Sequence, residues 1–573
     1  MFSTRSFVGF VALALTAVLP ALSQDSEASS QPGLIWNKLE TRAELNWTDC
    51  YTPPLQCARF QVPLNYSDPQ SASASIAVIR FPSPLAGTDQ YRGPILMNPG
   101  GPGGSGVDMV VGGGAVLSQL LGPNFDVVSF DPRGVGFSTP RASFFPTEAQ
   151  RQLFRSPFFD DIKATRDGIG RMWARAQITG ALATQQDQKD HLFEHLNTEN
   201  TARDMLRMVE AHGQEKLQYW GLSYGTVLGA TFASVFPDRV ERLVLDGVVD
   251  AENYFATLWS NNLLDADKTL QTFFDSCFAG GPDLCPFYDS SPQAISRKLD
   301  DLTRTITLRP VPVVTNISYG LVDYARLRGA IGLSLYSPYV DFPRLARGLA
   351  DLLQGDGTVI YQMLETEPVF DCHCGDTLPL PTIQDARAAI SCTDGQEVRD
   401  TVDELEVFVR DLLRTSQWGE LWAILRIECT AWPKQEKRHF RGPFVGNTSH
   451  PILWIGNTAD PVTPLAFAHK MARGYPGSVV LTQDSPGHAS IAAPSLCTVQ
   501  HIQSYFLNGT LPAEGVVCPV IGPIFAAANA SGTAVDGPRI TRDLASRKLE
   551  GDEQDIVDAL KRLRHSFRVP TPF

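Results

Sequence analysis

Gly221-Leu222-Ser223-Tyr224-Gly225 is a G-x-S-x-G pentapeptide between a short strand-like run, Leu217 to Trp220, and an apolar stretch of helical spacing, Thr226 to Phe236. In a strand–turn–helix setting such a turn pushes a serine hydroxyl out of the end of a sheet, and its crowded backbone favours glycine on either side. A serine hydroxyl needs a base to be nucleophilic at neutral pH, and the base needs an acid to hold its tautomer. Asp460 follows the strand-like Pro451 to Ile455 in the loop Gly456-Asn457-Thr458-Ala459, and His488 follows Ser478 to Leu481 in the loop Asp484-Ser485-Pro486-Gly487. The order Ser, Asp, His along the chain fits a nucleophile on one strand and its partners on later ones. Ser223, Asp460 and His488 are therefore the expected catalytic residues. Asp246 and Asp250 also follow a strand-like run and compete for the acid's role. His469 and His501 lie on helical stretches and lack the strand–loop placement of His488.

Acyl transfer at a serine also needs preorganised donors for the oxyanion. The Tyr224 N–H, next to the nucleophile, is one. The Gly-rich loop Asn98-Pro99-Gly100-Gly101-Pro102-Gly103-Gly104-Ser105-Gly106 supplies the second, expected at the Gly101 N–H with Gly100 beside it. Gly101, Gly103 and Gly106 also match a dinucleotide fingerprint, with Asp131 ending a later strand. Pro102 inside the tight turn and the otherwise unexplained G-x-S-x-G argue against that use. Asp371-Cys372-His373-Cys374-Gly375-Asp376 suggests a metal, but C-x-C is not zinc spacing and no second ligand pair is evident. No cofactor and no metal are expected.

Strand-like and helix-like patterns alternate through the first half: Ser75 to Phe81, Gly93 to Met97 and Asn124 to Phe130 as strands, Thr201 to His212 as a helix, Arg242 to Leu245 as another strand. This rhythm argues for a mostly parallel, doubly wound α/β sheet with helices on both faces. From about Ala251 to Gly442 the apolar spacing turns helical, over Leu263 to Phe278, Ala294 to Ile306, Tyr324 to Tyr336 and Val398 to Leu425. The expected organisation is a leader over 1–23, the first part of the core over 24–250, a helical cap over 251–442, the second part of the core over 443–535 and a charged tail over 536–573. Ile556, Val557, Leu560 and Leu563 could dock that tail on the body as a helix.

The chain has 573 residues and a formal charge of −14, an acidic balance that argues against a nucleic-acid surface. Arg5, the apolar run Phe7 to Leu22 and the small residues Ala21-Leu22-Ser23 read as a secretory signal peptide. The run is short for a membrane span, contains Pro20 and has no basic stop-transfer flank, so a soluble secreted mature chain is expected. Six N-x-Ser/Thr sequons, at Asn46, Asn65, Asn316, Asn447, Asn508 and Asn529, are the candidate glycosylation sites. Of the 10 cysteines, Cys50 with Cys57, Cys277 with Cys285, Cys392 with Cys429 and Cys497 with Cys518 are candidate disulfides, leaving Cys372 and Cys374.

Asn98 to Gly103, Ser129-Phe130-Asp131-Pro132-Arg133-Gly134-Val135-Gly136-Phe137-Ser138, Gly221 to Gly225, Leu245 to Val248, Asn457 to Pro461 and Gly487-His488 together resemble the α/β-hydrolase fold. More narrowly, they resemble the tripeptidyl aminopeptidase/prolyl aminopeptidase-like serine peptidases, from about Trp47 to Pro519. Cys497 to Cys518 looks like that family's C-terminal segment. The resemblance implies Ser223 as nucleophile, Asp460 as acid and His488 as base. It implies an exopeptidase that releases short peptides or single residues from free N-termini. Some relatives bind the substrate's ammonium with carboxylates of the cap; Glu365, Glu367, Asp371 and Asp376 are candidates by location alone. An esterase or small-metabolite hydrolase with the same triad is the alternative, and a silent hydrolase-fold binding protein is a third reading. Either enzyme would take a peptide or a small ester or amide, without nucleic acid or membrane.

Overall fold

The computed structural model describes residues 32–155, 162, 165–188, 191–364, 383–436, 438–526, 551–566 and 569–570. The leader, Asn529, Glu365, Glu367, Asp371, Cys372, Cys374 and Asp376 lie outside them.

The core is an 11-stranded sheet. Its main strands are β1 (Gln56–Pro63), β2 (Ser73–Phe81), β3 (Pro94–Asn98), β4 (Asp126–Phe130), β5 (Leu217–Leu222), β6 (Val240–Asp246), β7 (Leu453–Ala459) and β8 (Val479–Pro486). They lie in the order β1-β2-β4-β3-β5-β6-β7-β8, with short strands at the edges. β2 is antiparallel to both β1 and β4, and every pairing from β4 to β8 is parallel. The period-two alternation shows in β2: Ile76 and Val78 join the hydrophobic cluster on one face, Ala77 and Ile79 the cluster on the other. Helices cover both faces, which is why these strands read as near-continuous apolar runs.

β1 has no counterpart among the expected elements because Gln56, Arg59 and Gln61 interrupt its apolar pattern. Arg59 is nonetheless buried: its guanidinium donates to the Trp36 and Phe137 carbonyls and to Ser75 Oγ, so the charge is not left without partners.

The cap between β6 and β7 is mainly helical, as expected, with two departures. Val311–Val314 and Tyr319–Val322 form an antiparallel hairpin rather than helix. The expected helix over Val398 to Leu425 is broken into Val402–Thr415, opened by a capping box between Thr401 and Glu404, and the short turns Gly419–Trp422 and Ile424–Ile427. The cap also recruits a segment from between β4 and β5. Met172 and Ala176 of the helix Gly168–Asp187 pack with Leu405, Val409, Leu412 and Ile427 in a cluster of their own. Within the expected tail, the helix Gly551–Ser566 docks through Val557, Ala559, Leu560 and Leu563. Among the described residues, no helix is long and apolar enough to cross a membrane.

Because β3, β5, β7 and β8 run parallel, the loops after them emerge at one edge of the sheet. Those loops carry Gly101, Ser223, Asp460 and His488.

Candidate active site

Ser223 stands between β5 and the helix Tyr224–Val235 with φ 56° and ψ −121°, a conformation that costs a non-glycine residue energy. The turn is held from both sides. The Ser223 N–H donates to the Asp246 carbonyl at 3.0 Å, and the Ser223 carbonyl accepts from Thr226 N at 2.8 Å and Oγ1 at 2.6 Å. The helix leaves the Tyr224 N–H, its first amide, without an intrahelical acceptor. The crowding that demands small residues is direct: a Cβ on Gly221 would lie 2.4 Å from the Gly225 carbonyl oxygen.

Asp460 and His488 are joined. His488 Nδ1 is 3.1 Å from both carboxylate oxygens of Asp460, which also accept from the Val462, Thr463 and Ala489 amides at 2.8–3.0 Å. Burial alone would raise Asp460, yet the facing His488 and the hydrogen bonds from it and from the Ala489 and Val462 amides bring its carboxyl below the usual value. An ionised carboxylate only accepts, so Nδ1 is the donor of this pair, and in a neutral imidazole so held Nε2 is the acceptor nitrogen. Nε2 is buried with no hydrogen-bond partner among the described residues, so it makes no hydrogen bond with Ser223 in this state. Two links bring their surroundings together. Tyr336 lines both the cavity of Ser223 and the neighbouring cavity of His488, and Thr463 lines the first while its Oγ1 lies 3.0 Å from His488 Nδ1.

The competing acids have other work. Asp246 accepts from Ser490 N at 2.8 Å and Oγ at 2.6 Å, tying β6 to the turn just after His488. Burial pushes its carboxyl up to about 6. Asp250 caps the short helix Ala251–Phe255 and pairs with Lys470 at 2.7 Å. His469 and His501 lie on the helices Leu465–Ala472 and Leu496–Asn508.

In the Gly-rich loop, Gly100 donates its N–H to Asn98 Oδ1 at 3.0 Å, and Gly101, the next residue, lines the same cavity as Ser223 and Tyr224. Gly100 has φ +97°, and a Cβ there would meet the Leu222 carbonyl oxygen at 2.6 Å and Ser223 Cβ at 2.8 Å. The loop is anchored by buried Asp131, which accepts from Ser105 Oγ at 2.6 Å, Val107 N at 3.1 Å and Phe137 N at 2.7 Å. Burial pushes Asp131 up to about 7. The residue that the dinucleotide pattern would assign to a ribose is thus consumed in bracing this loop.

The cavity over Ser223 is partly open, with about 370 Å³ of space between its walls when the adjoining solvent is included. Tyr254, Trp259, Tyr336 and Trp422 of the cap form much of its wall, and among the described residues that line it none is charged. Beneath it, buried Asp394 accepts from Thr198 Oγ1 at 2.6 Å and Tyr254 OH at 2.8 Å, and Tyr224 OH lies 2.6 Å from Thr198 Oγ1. Core, nucleophile turn and cap therefore share one polar network. The sequence pattern gives no sign of the Tyr336 or Asp394 contacts, which come from distant segments of the cap. Asn457 could have been found: it stands in the singled-out Asn457 to Pro461 run, and its Nδ2 clamps the His488 loop through the Gly487 and Ala489 carbonyls.

All four candidate disulfides are formed, Cys50–Cys57, Cys277–Cys285, Cys392–Cys429 and Cys497–Cys518. His501 lies close to the Cys497 and Cys518 sulfurs, but both are tied up in their disulfide. Asn46, Asn316, Asn447 and Asn508 are exposed and Asn65 is half-buried.

A family model described as the alpha/beta hydrolase fold matches residues 93–283, and one described as TAP-like protein matches 415–518. The serine protease Hip1 of Mycobacterium tuberculosis is 27% identical over 490 residues, covering 83% of this chain and 91% of that protein. The tripeptidyl aminopeptidase of Streptomyces lividans is 27% identical over 500 residues, covering 83% and 87%. Carboxylesterase B of M. tuberculosis is 29% identical over 484 residues, covering 81% and 86%. The sheet, the family matches and these relatives agree: the chain is a serine hydrolase of the α/β-hydrolase fold that resembles the tripeptidyl aminopeptidase-like proteins.

Proposed function

We propose that the chain is a secreted serine aminopeptidase that releases short peptides or single residues from free N-termini. The observation that carries the chemistry is His488: Nδ1 bonded to Asp460, Nε2 buried and without a partner among the described residues. In the proposed reaction Ser223 Oγ attacks the scissile carbonyl carbon and His488 Nε2 takes its proton. The developing oxyanion accepts from the Tyr224 and Gly101 amides. Collapse breaks the C–N bond, and His488 returns the proton to the leaving amine. Water, deprotonated by His488, then hydrolyses the acyl-enzyme and releases Ser223. Asp460 fixes the imidazole's tautomer and stabilises the imidazolium. The peptidase reading draws on the tripeptidyl aminopeptidase and serine protease relatives, and secretion on the leader-like N-terminus and four disulfides.

The second reading, an esterase or small-metabolite hydrolase with the same triad, draws on the carboxylesterase B relative. The test is to incubate the purified protein with peptides bearing free or acetylated N-termini and with simple acyl esters. Cleavage of free termini alone supports the aminopeptidase. Equal turnover of blocked peptides overturns it, ester-only turnover favours the second reading, and no turnover of any substrate points to a binding protein.

A further inference from the structure

The last described residues of the chain stand in the wall of the Ser223 cavity. The helix Gly551–Ser566 lies along the helix Gly106–Leu121, which begins where the Gly-rich loop ends. Leu560 and Leu563 join the cluster of Val107, Val110 and Leu117. Arg562 Nη2 donates to Gln119 Oε1 at 2.7 Å, and Gln119 Nε2 to the Asp555 carbonyl at 3.3 Å. At the helix end the Arg564 guanidinium lies 5.5 Å from the centre of the Tyr339 ring, against the cap. Beyond it, Val569 is only 6% exposed and lines the cavity of His488. Pro570 lines the cavity of Ser223, together with Gly101 and Tyr224. Its ring packs on the Gly-rich loop so closely that a Cβ on Gly104 would lie 2.6 Å from Pro570 Cγ.

We propose that Val569 and Pro570 form a wall of the substrate chamber, with Pro570 a specificity-determining residue that limits the size of the group accepted beside Ser223. This rests on Ser223 being the nucleophile, though not on the substrate being a peptide. The wall is apolar and Pro570 packs directly on the Gly-rich loop at Gly104, so it excludes by shape rather than by charge. Neither matched family segment extends beyond residue 518, so this wall lies outside the parts of the chain that those families describe.

The test compares the full-length protein with its Pro570→Gly and Pro570→Trp variants. One series of esters keeps p-nitrophenol as leaving group and lengthens the acyl chain from acetate to octanoate. A second keeps the acetyl group and enlarges the leaving phenol. In one of the two series, Pro570→Gly should raise the ratio of kcat/KM for large over small substrates by about tenfold, and Pro570→Trp should lower it. A uniform change across both series, as displacement of a plug would produce, or unchanged ratios, would overturn the proposal. Labelling with a fluorophosphonate probe, mapped by peptide mass, separates this from a failure of the functional reading. Labelled Ser223 with unmoved ratios sinks the wall alone; an unlabelled Ser223 sinks the nucleophile.

Discussion

Tyr336 of the cap holds His488 of the core. Its carbonyl accepts the His488 backbone N–H at 2.9 Å, and its ring stands edge-on to the imidazole at 5.1 Å between centres. The cap thus orients the candidate base as well as walling the cavity over Ser223. Tyr336→Ala keeps the backbone bond and removes the edge contact, freeing the ring to turn. The expected result is a loss of about tenfold to a hundredfold in kcat on any ester substrate, with circular dichroism unchanged. Wild-type kcat in the variant would show that the base is positioned without the ring of Tyr336.

Asp460→Asn should be far more damaging. The carboxylate accepts from Nδ1 and from three backbone amides, so its acceptor role is fully used. An asparagine that presents its NH₂ to Nδ1 selects the opposite tautomer and places the proton on Nε2, where the lone pair is needed. A fall of about 10⁴ in kcat is expected, with little change in KM. A loss of less than about tenfold would remove Asp460 from the acid's role.

Gly100→Ala tests the closeness of the Gly-rich loop to the nucleophile. The added methyl would lie within 3 Å of both the Leu222 carbonyl and Ser223 Cβ at a φ of +97°, and neither neighbour is the free end of a flexible side chain. The loop must move away from Ser223, taking the Gly101 amide with it. A loss of about a hundredfold in kcat with KM nearly unchanged is expected, since the proposed oxyanion donor would act in the transition state. An equal rise in KM without loss of kcat would assign the loop to substrate binding.

The candidate site was legible where its residues coincide with strand ends. β5, β7 and β8 each announce themselves as short apolar runs, and the loops that follow carry Ser223, Asp460 and His488. The same signal failed for β1, whose Arg59 is buried through specific hydrogen bonds that no alternation pattern encodes. It also failed for the hairpin in the cap, where the edge residues Val314, Tyr319 and Leu321 are exposed and their spacing has no core face to report. Tyr336, Asp394 and Pro570 reach the candidate site from segments far off in the chain, and such long-range packing leaves no local trace in the sequence.

The Cys392–Cys429 bridge closes a separation of 37 residues and ties the helix Ile383–Asp394, which ends in Asp394, to the turn at Glu428–Ala431. Closing a loop of that length removes unfolded-state entropy worth about 4 kcal/mol. Replacing both cysteines by serine should lower the melting temperature by several degrees, more than the same change at Cys50 and Cys57, whose separation is 7. Calorimetry on the two double variants measures the difference. A larger loss for the short bridge would place the effect in native packing instead.

Asp246 should make stability fall as pH rises through the mildly acidic range. Its carboxyl loses its proton near 3.8 in the unfolded chain but keeps it up to about 6 in the fold, where burial is the main cause. Between those values the folded state binds more protons, so the stability this group provides is full below about 3.8 and is lost as pH rises through about 6. The two-unit difference corresponds to about 3 kcal/mol. Asp246→Asn keeps an acceptor for the Ser490 amide and cannot ionise, so it should abolish this slope. Denaturant titrations of both proteins from pH 4 to 7 should show the wild type losing ground to the variant as pH rises. Parallel curves would mean that Asp246 is ionised throughout, its charge carried by Ser490 and the nearby His488.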